Sequence, residues 1–497
     1  MTVDRNHAKG NYVTALRSGG MVEYRPVPDA DVPEFQRLLR YAFSPTDEYD
    51  PIESLDDLPP RATLGDRRGI YEDGELRCTG VHHWFSLRVR GAFREVPGLS
   101  AVSTPPQHRR RGFVHRLLAE SLVEYRDRGD GFCALWPFSH PFYHRYGWGT
   151  CSRRMRATCE PDALAGIGPT NAVGADDDNR DGSADGESSG GSGSAGGSTD
   201  GDRRDGGGGL GGGDPGSTDG TASGEFVSLS ADDWAALDRV YRATNTGGLA
   251  MDRTEAWWRK RVFTGLDDDP YIAGVSRGGD LAGYLVYDIE EGGADSGRRL
   301  VVREYGHVDF EAYRALLEFC RYHDSQVAEI ELFGPVDTTI QDLVRDPHEV
   351  ELAIEPGPMI RIVDVSRALS NLTYPAGLDT DLAIDVADGL ADWNDGRFRL
   401  SIASGTASCE RIAGDGDASD ADADVGVDAD GGADAAVDAK SDADLRTSIA
   451  TLSQVAVGFL PPERAERIGG FDVASPRARE TLAAAFEPAA TFLREGF

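Results

Sequence analysis

The sequence predicts a mixed α/β protein built from three structured regions. Three observations carry that expectation. Strand-like and helix-like periodicities alternate along the chain, two stretches almost without apolar residues interrupt it, and 497 residues exceed what one hydrophobic core organises. The interruptions fall at 165–225, rich in Gly, Ser and Asp, and at 413–444, an Asp-Ala-Gly repeat. Neither buries enough to offset the entropy of ordering, so both are expected to be disordered. The structured regions are then 21–164, 226–356 and 357–497, the last carrying the acidic insert. A disordered leader at 1–20 precedes them. It ends Arg17-Ser18-Gly19-Gly20 and lacks the apolar stretch of a secretory signal, and Met21 is an alternative start.

In the first region, residues 21–25 read as a short strand. A helix follows from Asp31, with Pro33 in its first turn and Val32, Phe35, Leu38, Leu39 and Ala42 along one face. Asp73-Gly74 marks a hairpin turn, after which Val81, His83, Phe85, Leu87 and Val89 alternate as a half-buried strand. Residues 99–104 form the next strand. A basic, glycine-containing turn then opens a helix in which Leu117, Leu118, Ser121, Leu122 and Tyr125 share a face, and Gly129 ends it. Residues 132–136 make a buried strand, and a short segment from Pro141 leads to Tyr143.

The second region follows a similar plan. A helix spans about 234–244, a hairpin centres on Gly278-Gly279-Asp280, a strand covers 281–287, a helix lies near 310–320 and a strand at 328–333. It has no arginine-rich glycine turn between strand and helix. The third region reads as a strand at 359–363, a helix near Ser366, strands around 382–386 and 398–402, and a helical finish at 476–494.

The net charge is −34, from 51 Lys and Arg against 85 Asp and Glu. The two low-complexity stretches contribute −9 and −10, which leaves −15 on the rest. Such a chain repels phosphate backbones, so no nucleic-acid partner is expected. Only Lys9, Lys260 and Lys440 are lysines. Carboxylates in place of lysine suit a protein dissolved in concentrated salt, where self-repulsion is screened, and point to a halophile; a high-GC genome gives the same bias. No apolar run approaches the roughly 18 residues of a membrane span, so no membrane partner is expected. Cys78, Cys133, Cys151, Cys159, Cys320 and Cys409 form no CxxC pair, which fits reduced thiols in a cytoplasmic protein. His140 and His144 stand four apart without a patterned acidic third ligand. Asp420, Asp422 and Asp424 lack the glycine and closing glutamate of a calcium loop. No metal is expected.

The stretch that carries chemistry runs Val102-Ser103-Thr104-Pro105-Pro106-Gln107-His108-Arg109-Arg110-Arg111-Gly112-Phe113-Val114-His115. A strand feeds a turn that opens a helix. The free N–H groups of such a turn, with the helix dipole behind them, bind an anion such as a pyrophosphate, and Arg110 and Arg111 add positive charge. The strand edge at 102–104 offers β-type hydrogen bonds to an extended amide chain, which pantetheine is. A thioester at its end would lie where this strand and 132–136 diverge, near Phe138 and Ser139. Read without that ligand, the arginine turn is a solvated basic loop, and Tyr143 and Tyr146 are core aromatics.

The turn resembles the RxxGx(G/A) signature of the GNAT N-acetyltransferases. Together with Pro141-Phe142-Tyr143-His144-Arg145-Tyr146-Gly147-Trp148-Gly149 and the terminal Phe497, the chain resembles the Eis (enhanced intracellular survival) family. Val114 departs from it, standing where many GNAT enzymes have Gly or Ala. The resemblance implies two GNAT-like mixed-sheet domains in tandem, the second without cofactor, followed by a sterol-carrier-like domain. It implies acetyl-CoA as cosubstrate, with Val102, Ser103 and Thr104 as strand contacts, Arg110, Arg111, Gly112, Phe113, Val114 and His115 as the pyrophosphate turn, and Phe138 and Ser139 completing the site. It implies Tyr143 as general acid, the Phe497 carboxylate as general base, a homo-oligomer (a hexamer in the family) and a small-molecule amine acceptor of the aminoglycoside kind. An acceptor lysine or N-terminal amine on a protein, or a non-catalytic lipid-binding role, are the alternatives.

Overall fold

The computed structural model describes residues 12–13 (as a strand only), 21–44, 52, 54–168, 224–265, 268–292, 297–412 and 443–497. The calls of disorder at 1–20, 165–225 and 413–444 lie almost wholly outside these residues. Tyr12–Val13 is a two-residue strand paired with Val22–Pro26.

Three sheets organise the chain. The first has eight strands in the order Tyr12–Val13, Val22–Pro26, Asp66–Glu72, Glu75–Val89, Ala92–Ser103, Phe132–Leu135, Met359–Ile362 and Gly149–Thr150. Its left-hand part is an antiparallel meander that alternates buried and half-buried residues. The Asp66–Glu72 and Glu75–Val89 strands are joined at Asp73-Gly74, whose φ values of 52° and 83° are those of a tight primed hairpin turn. Ala92–Ser103 and Phe132–Leu135 are parallel neighbours, and the helix Phe113–Arg128 crosses between them, burying Leu117, Leu118, Leu122 and Tyr125. Gly129, at φ 100°, closes that helix.

The second sheet runs Val350–Pro356, Arg153–Cys159, Glu329–Gly334, Arg298–His307, Asp280–Glu291, Tyr271–Arg277, Glu225–Ser228. The third runs Thr406–Ile412, Gly396–Ala403, Thr380–Ala387, Leu445–Ser448, Phe471–Val473.

Two strands cross between regions, against the sequence reading. Residues 359–363 were expected to begin the third region, but Met359–Ile362 sits inside the first sheet. Arg153–Cys159, expected within the first region, sits inside the second sheet. The physical reason is one continuous antiparallel ribbon. Val350 pairs with Cys159, Pro356 with Arg153 and Met359 with Thr150, in unbroken register. The ribbon changes sheets where Gly357 N donates to Ser152 O at 3.1 Å and Cys151 N donates to Pro358 O at 2.9 Å. A Cβ at Gly357 would meet Ser152 Oγ at 2.9 Å, so only glycine allows the crossing.

The first and third regions share a core. Phe85, Leu87, Val96, Phe132, Ile360 and Ile362 pack in one cluster with Leu382, Ile384, Phe398, Leu400, Leu452 and Val455. The helix Ile449–Ala456 lies on the Met359–Ile362 strand, and Ile362 N donates to Ser453 Oγ at 2.8 Å. Arg361, fully buried, reaches Asp388 through a forked ion pair at 2.7 and 2.5 Å. Arg90, at a hairpin of the first sheet, donates to the Val455, Ala456 and Glu487 carbonyls and so completes the end of that helix.

The helical finish is shorter than expected. Pro476–Ala485 is helix, and 486–497 is not. Pro488 disfavours helical backbone at Glu487, which stops the helix there. The tail instead runs along the second region. Gly248 N donates to Ala490 O and Phe492 N to Gly248 O, at 2.8 and 2.9 Å.

Candidate active site

The Ala92–Ser103 strand carries a bulge at its end. The register with Glu75–Val89 shifts between Thr79 and Val81, and Ala101 takes φ 54°, in the left-handed region. Thr79 Oγ1 holds the bulge by donating to Ala101 O at 2.8 Å, and it also lies 2.9 Å from Ser103 Oγ. On the other edge, parallel pairing with Phe132–Leu135 covers only Gly98 with Ala134 and Leu99 with Leu135. Beyond Leu99 and Leu135 the two strands part. Their backbone groups there are left for another chain-like ligand.

A cavity of about 560 Å³ opens at this divergence. Val102, Ser103 and Thr104 form one wall, Arg110, Gly112, Phe113, Val114 and His115 the turn, and Phe138 the far side. These nine of the eleven cofactor-binding candidates are brought together. Two of the eleven are not. Arg111 points away, pairs with Glu72 and lies over the Phe113 ring, because Arg110 takes φ 62° and reverses the turn. Ser139 caps the short helix His140–His144 with its carbonyl, which accepts from Phe142 N and Tyr143 N, and it does not line the cavity.

The helix Phe113–Arg128 begins after Gly112 at φ 84°, and no side chain caps it. The amides of Phe113, Val114 and His115 thus have no partner within the helix and face the cavity end. A Cβ at Gly112 would meet nothing within 4 Å, so its conformation rather than space requires glycine. Arg109 Nε donates to Thr104 O at 3.0 Å and fastens the turn to the strand. Sequence reasoning missed Phe43, His108, Arg109, Arg145 and Tyr146 as lining residues. Arg145 lies 4.3 Å over the Phe142 ring and 4.7 Å over the Tyr146 ring, which aims a second cation at the cavity. Only its place in the Tyr143 segment could have signalled this.

Tyr143 sits behind the cavity. It is buried, with its ring 5.4 Å from Phe138, 5.1 Å from Phe142 and 6.2 Å from Trp148. Burial raises its hydroxyl above the ordinary phenol range. His140 Nε2 lies 3.1 Å from Gly357 O.

The chain end reaches the same place from the opposite side. The Phe497 ring packs 4.7 Å from Phe85 and 5.8 Å from His83. It also fills the space over Gly98, where a Cβ would come within 2.7 Å of Phe497 Cε2. Gly98 pairs with Ala134, one residue before the two strands part, so the ring is seated beside the divergence. A buried ionic cluster holds the tail. Arg253 forks onto Glu304 at 2.7 and 2.7 Å and donates to Glu495 at 2.8 Å, while Tyr241 also donates to Glu495 at 2.9 Å. Trp136 Nε1 donates to Glu495 O, and Arg261 Nε donates to Gly496 O at 2.8 Å. These partners lie 242 residues or more from the tail along the chain, except Arg261 at 235, and no local pattern announces them.

The second sheet is built on the same plan with one decisive difference. Its strand Arg298–His307 leads into the helix Phe310–Arg321, but Asp309 caps that helix by accepting from Ala312 N at 2.9 Å. A carboxylate thus fills the position that is open and basic in the first sheet. Parallel pairing with Glu329–Gly334 also runs over four residues rather than two.

Comparison with known proteins decides the class. Residues 23–151 and 249–362 each match the Acetyltransferase (GNAT) domain family, and 365–494 match the Sterol carrier protein domain family. The protein is an acyltransferase with two GNAT domains. The first matched span ends at the ribbon crossing, and the second runs past it to 362. Among relatives of this acyltransferase, an uncharacterized N-acetyltransferase of Streptomyces avermitilis is 26% identical over 409 residues, covering 78% of this chain and 84% of its own. One from Streptomyces coelicolor is 24% identical over 379 residues, covering 73% and 79%. The fold is similar to Eis1 from Mycobacterium abscessus, with TM-score 0.64 and 20% identity over 96% of this chain and 100% of that one. A GCN5-related N-acetyltransferase from Anabaena variabilis gives 0.68 and 16% over the same shares. Two GNAT domains in tandem and a sterol-carrier domain therefore make up the described chain. No described helix is long and apolar enough to cross a membrane.

Proposed function

We propose that the acyltransferase moves an acetyl group from acetyl-CoA directly to a primary amine in the first GNAT domain. The observation that carries this reading is the diverging strand pair at Leu99 and Leu135, open to a basic helix N-terminus on one side and to the chain end on the other. Val102, Ser103 and Thr104 hold the pantetheine arm as an added strand. Arg110, Gly112, Phe113, Val114 and His115 hold the pyrophosphate through amides and charge. Phe138 covers the thioester end. Arg111 and Ser139 act through the turn and the short helix rather than by contact.

Direct transfer needs no enzyme nucleophile. The amine lone pair attacks the thioester carbon, the C–S bond breaks and the sulfur leaves as thiolate. The Phe497 carboxylate takes the proton that the ammonium must lose, directly or through water. Tyr143 donates its hydroxyl hydrogen bond and then its proton to the departing sulfur, and burial keeps the phenol protonated for that role. The Arg253–Glu304–Glu495 cluster fixes the last residues so that the carboxylate does not fray with the terminus.

Release of free CoA in the presence of an amine panel tests the reading. Turnover that requires both acetyl-CoA and an amine is expected. Tight acetyl-CoA binding with no amine acetylated would refute amine transfer.

A further inference from the structure

A second cavity of about 460 Å³ adjoins the first. The two share Phe43 and the bulged strand, with Ser100 and Ala101 facing one and Val102 to Thr104 facing the other. Its far wall includes Arg261, which bonds the residue before the chain end, and His83, against which the Phe497 ring packs. It therefore lies between the first cavity and residues that hold the chain end. On the reading above, that is the seat of the acceptor.

The charge of this seat is opposite to that of the protein. Arg40 lines it, as do Arg61, Arg67 and Arg261, and no carboxylate lines it among the described residues. Many arginines elsewhere meet acids: Arg68 pairs with Glu124, Arg77 with Glu75 and Arg126 with Asp364. Arg61, Arg67 and Arg261 bond only carbonyls. Arg61 donates to Thr264 O, Arg67 to Ala62 O and Arg261 to Gly496 O. Arg61 Nε is buried with no partner. Burial, with Arg61 nearby, brings Arg261 down to about 10, and burial lowers Arg61 and Arg67 as well. Asp269 and Asp29 act on Arg61 and Arg67 in the opposite sense without offsetting burial. Three half-buried cations without ion pairs, in a chain of net charge −34, form a receptor for an oxyanion.

We propose that the acceptor is a primary amine that also carries an oxyanion, a carboxylate or a phosphate, gripped by Arg61, Arg67 and Arg261 while its amine faces the thioester. This rests on the acetyl-transfer reading. The polycationic aminoglycosides expected from the family resemblance would bring charge of the same sign to these guanidiniums.

The test uses the full chain and matched amines: glucosamine against glucosamine 6-phosphate, and 4-aminobutanamide against 4-aminobutyrate, with putrescine and kanamycin as cationic controls. Calorimetry with the acetyl-CoA-loaded protein measures binding of inorganic phosphate and 4-aminobutyrate in parallel. At least one oxyanion-bearing member should exceed its partner without the oxyanion and both polycations at least tenfold in kcat/KM. A preference for the sugar phosphate alone assigns phosphate, and a preference for aminobutyrate alone assigns carboxylate. Arg67→Gln and Arg61→Gln should each remove most of that preference, or of the measured oxyanion binding, while acetyl-CoA affinity stays unchanged. If one variant fails to fold, the other carries the comparison. Equal or better use of the amines without an oxyanion overturns the proposal. So does a preference that survives both substitutions, or a loaded protein that neither binds the oxyanions nor acetylates their amines. Failure to bind acetyl-CoA at all would instead overturn the acetyl-transfer reading beneath it.

Discussion

Tyr143 and His83 show how burial sets the chemistry of single residues. Tyr143 is shielded by Phe138, Phe142 and Trp148, and burial holds its hydroxyl above the ordinary phenol range, so it stays a protonated phenol rather than a phenolate. Tyr143→Phe keeps the ring packing and removes only that proton. It is expected to lower kcat roughly a hundredfold while the acetyl-CoA dissociation constant holds, measured by single-turnover kinetics and calorimetry. An unchanged kcat would remove Tyr143 from the reaction. His83 is pulled from 6.5 down to about 3 by burial, then by Arg261 and His82. Between those values the unfolded chain holds a proton that the folded chain refuses, so stability falls as pH drops through that window. From pH 6.5 to pH 5 this one group costs about 2 kcal/mol. Urea unfolding at pH 7 and pH 5 measures it. His83→Gln keeps a polar partner for Ser100, now 2.9 Å from His83 Nε2, and should flatten the dependence. The same pH slope in the variant would mean that His83 does not titrate in this way.

At the scale of elements, the tail 486–497 is the most consequential piece. It has no regular structure, yet Glu495 is 3% exposed and Leu493 1%. Its order comes from Arg253, Tyr241, Trp136 and Arg261 rather than from itself. Appending four residues after Phe497 moves the carboxylate without changing a side chain. Turnover is expected to fall at least tenfold, with acetyl-CoA binding kept, since the proposed cofactor contacts lie at 102–115. Full activity in the extended protein would assign the base to another group. The opposing element is the helix Phe113–Arg128, whose uncapped start depends on Gly112.

For the whole molecule, the two GNAT domains differ in what their helix N-termini offer. The first presents free amides beside Arg110, while the second is closed by the Asp309 carboxylate. One acetyl-CoA per chain is therefore expected by calorimetry, and a stoichiometry of two would contradict it. The ribbon 149–159 with 350–362 and the shared core of the first and third regions also tie the domains together. The second GNAT domain supplies Arg253 and Arg261, and the third supplies the tail. On the proposed mechanism the site draws on all three, and the domain without an open anion site positions the tail.

The sequence by itself determined much of this. Local rules placed the Asp73-Gly74 turn, the amphipathic helices and the strand–turn–helix at 102–115, because turn chemistry, periodicity and a helix start are written in adjacent residues. Tertiary structure alone decided the rest. That Met359–Ile362 joins the first sheet depends on pairing with Phe132–Leu135 and Gly149–Thr150, more than 200 residues away, and a buried strand reads the same in any sheet. That Arg111 turns to Glu72 while Arg110 lines the cavity depends on one backbone angle at Arg110. That Arg61, Arg67 and Arg261 gather around one cavity depends on two domains meeting there. Charge and hydrogen-bond partners are chosen by proximity in space, and local sequence carries no record of that.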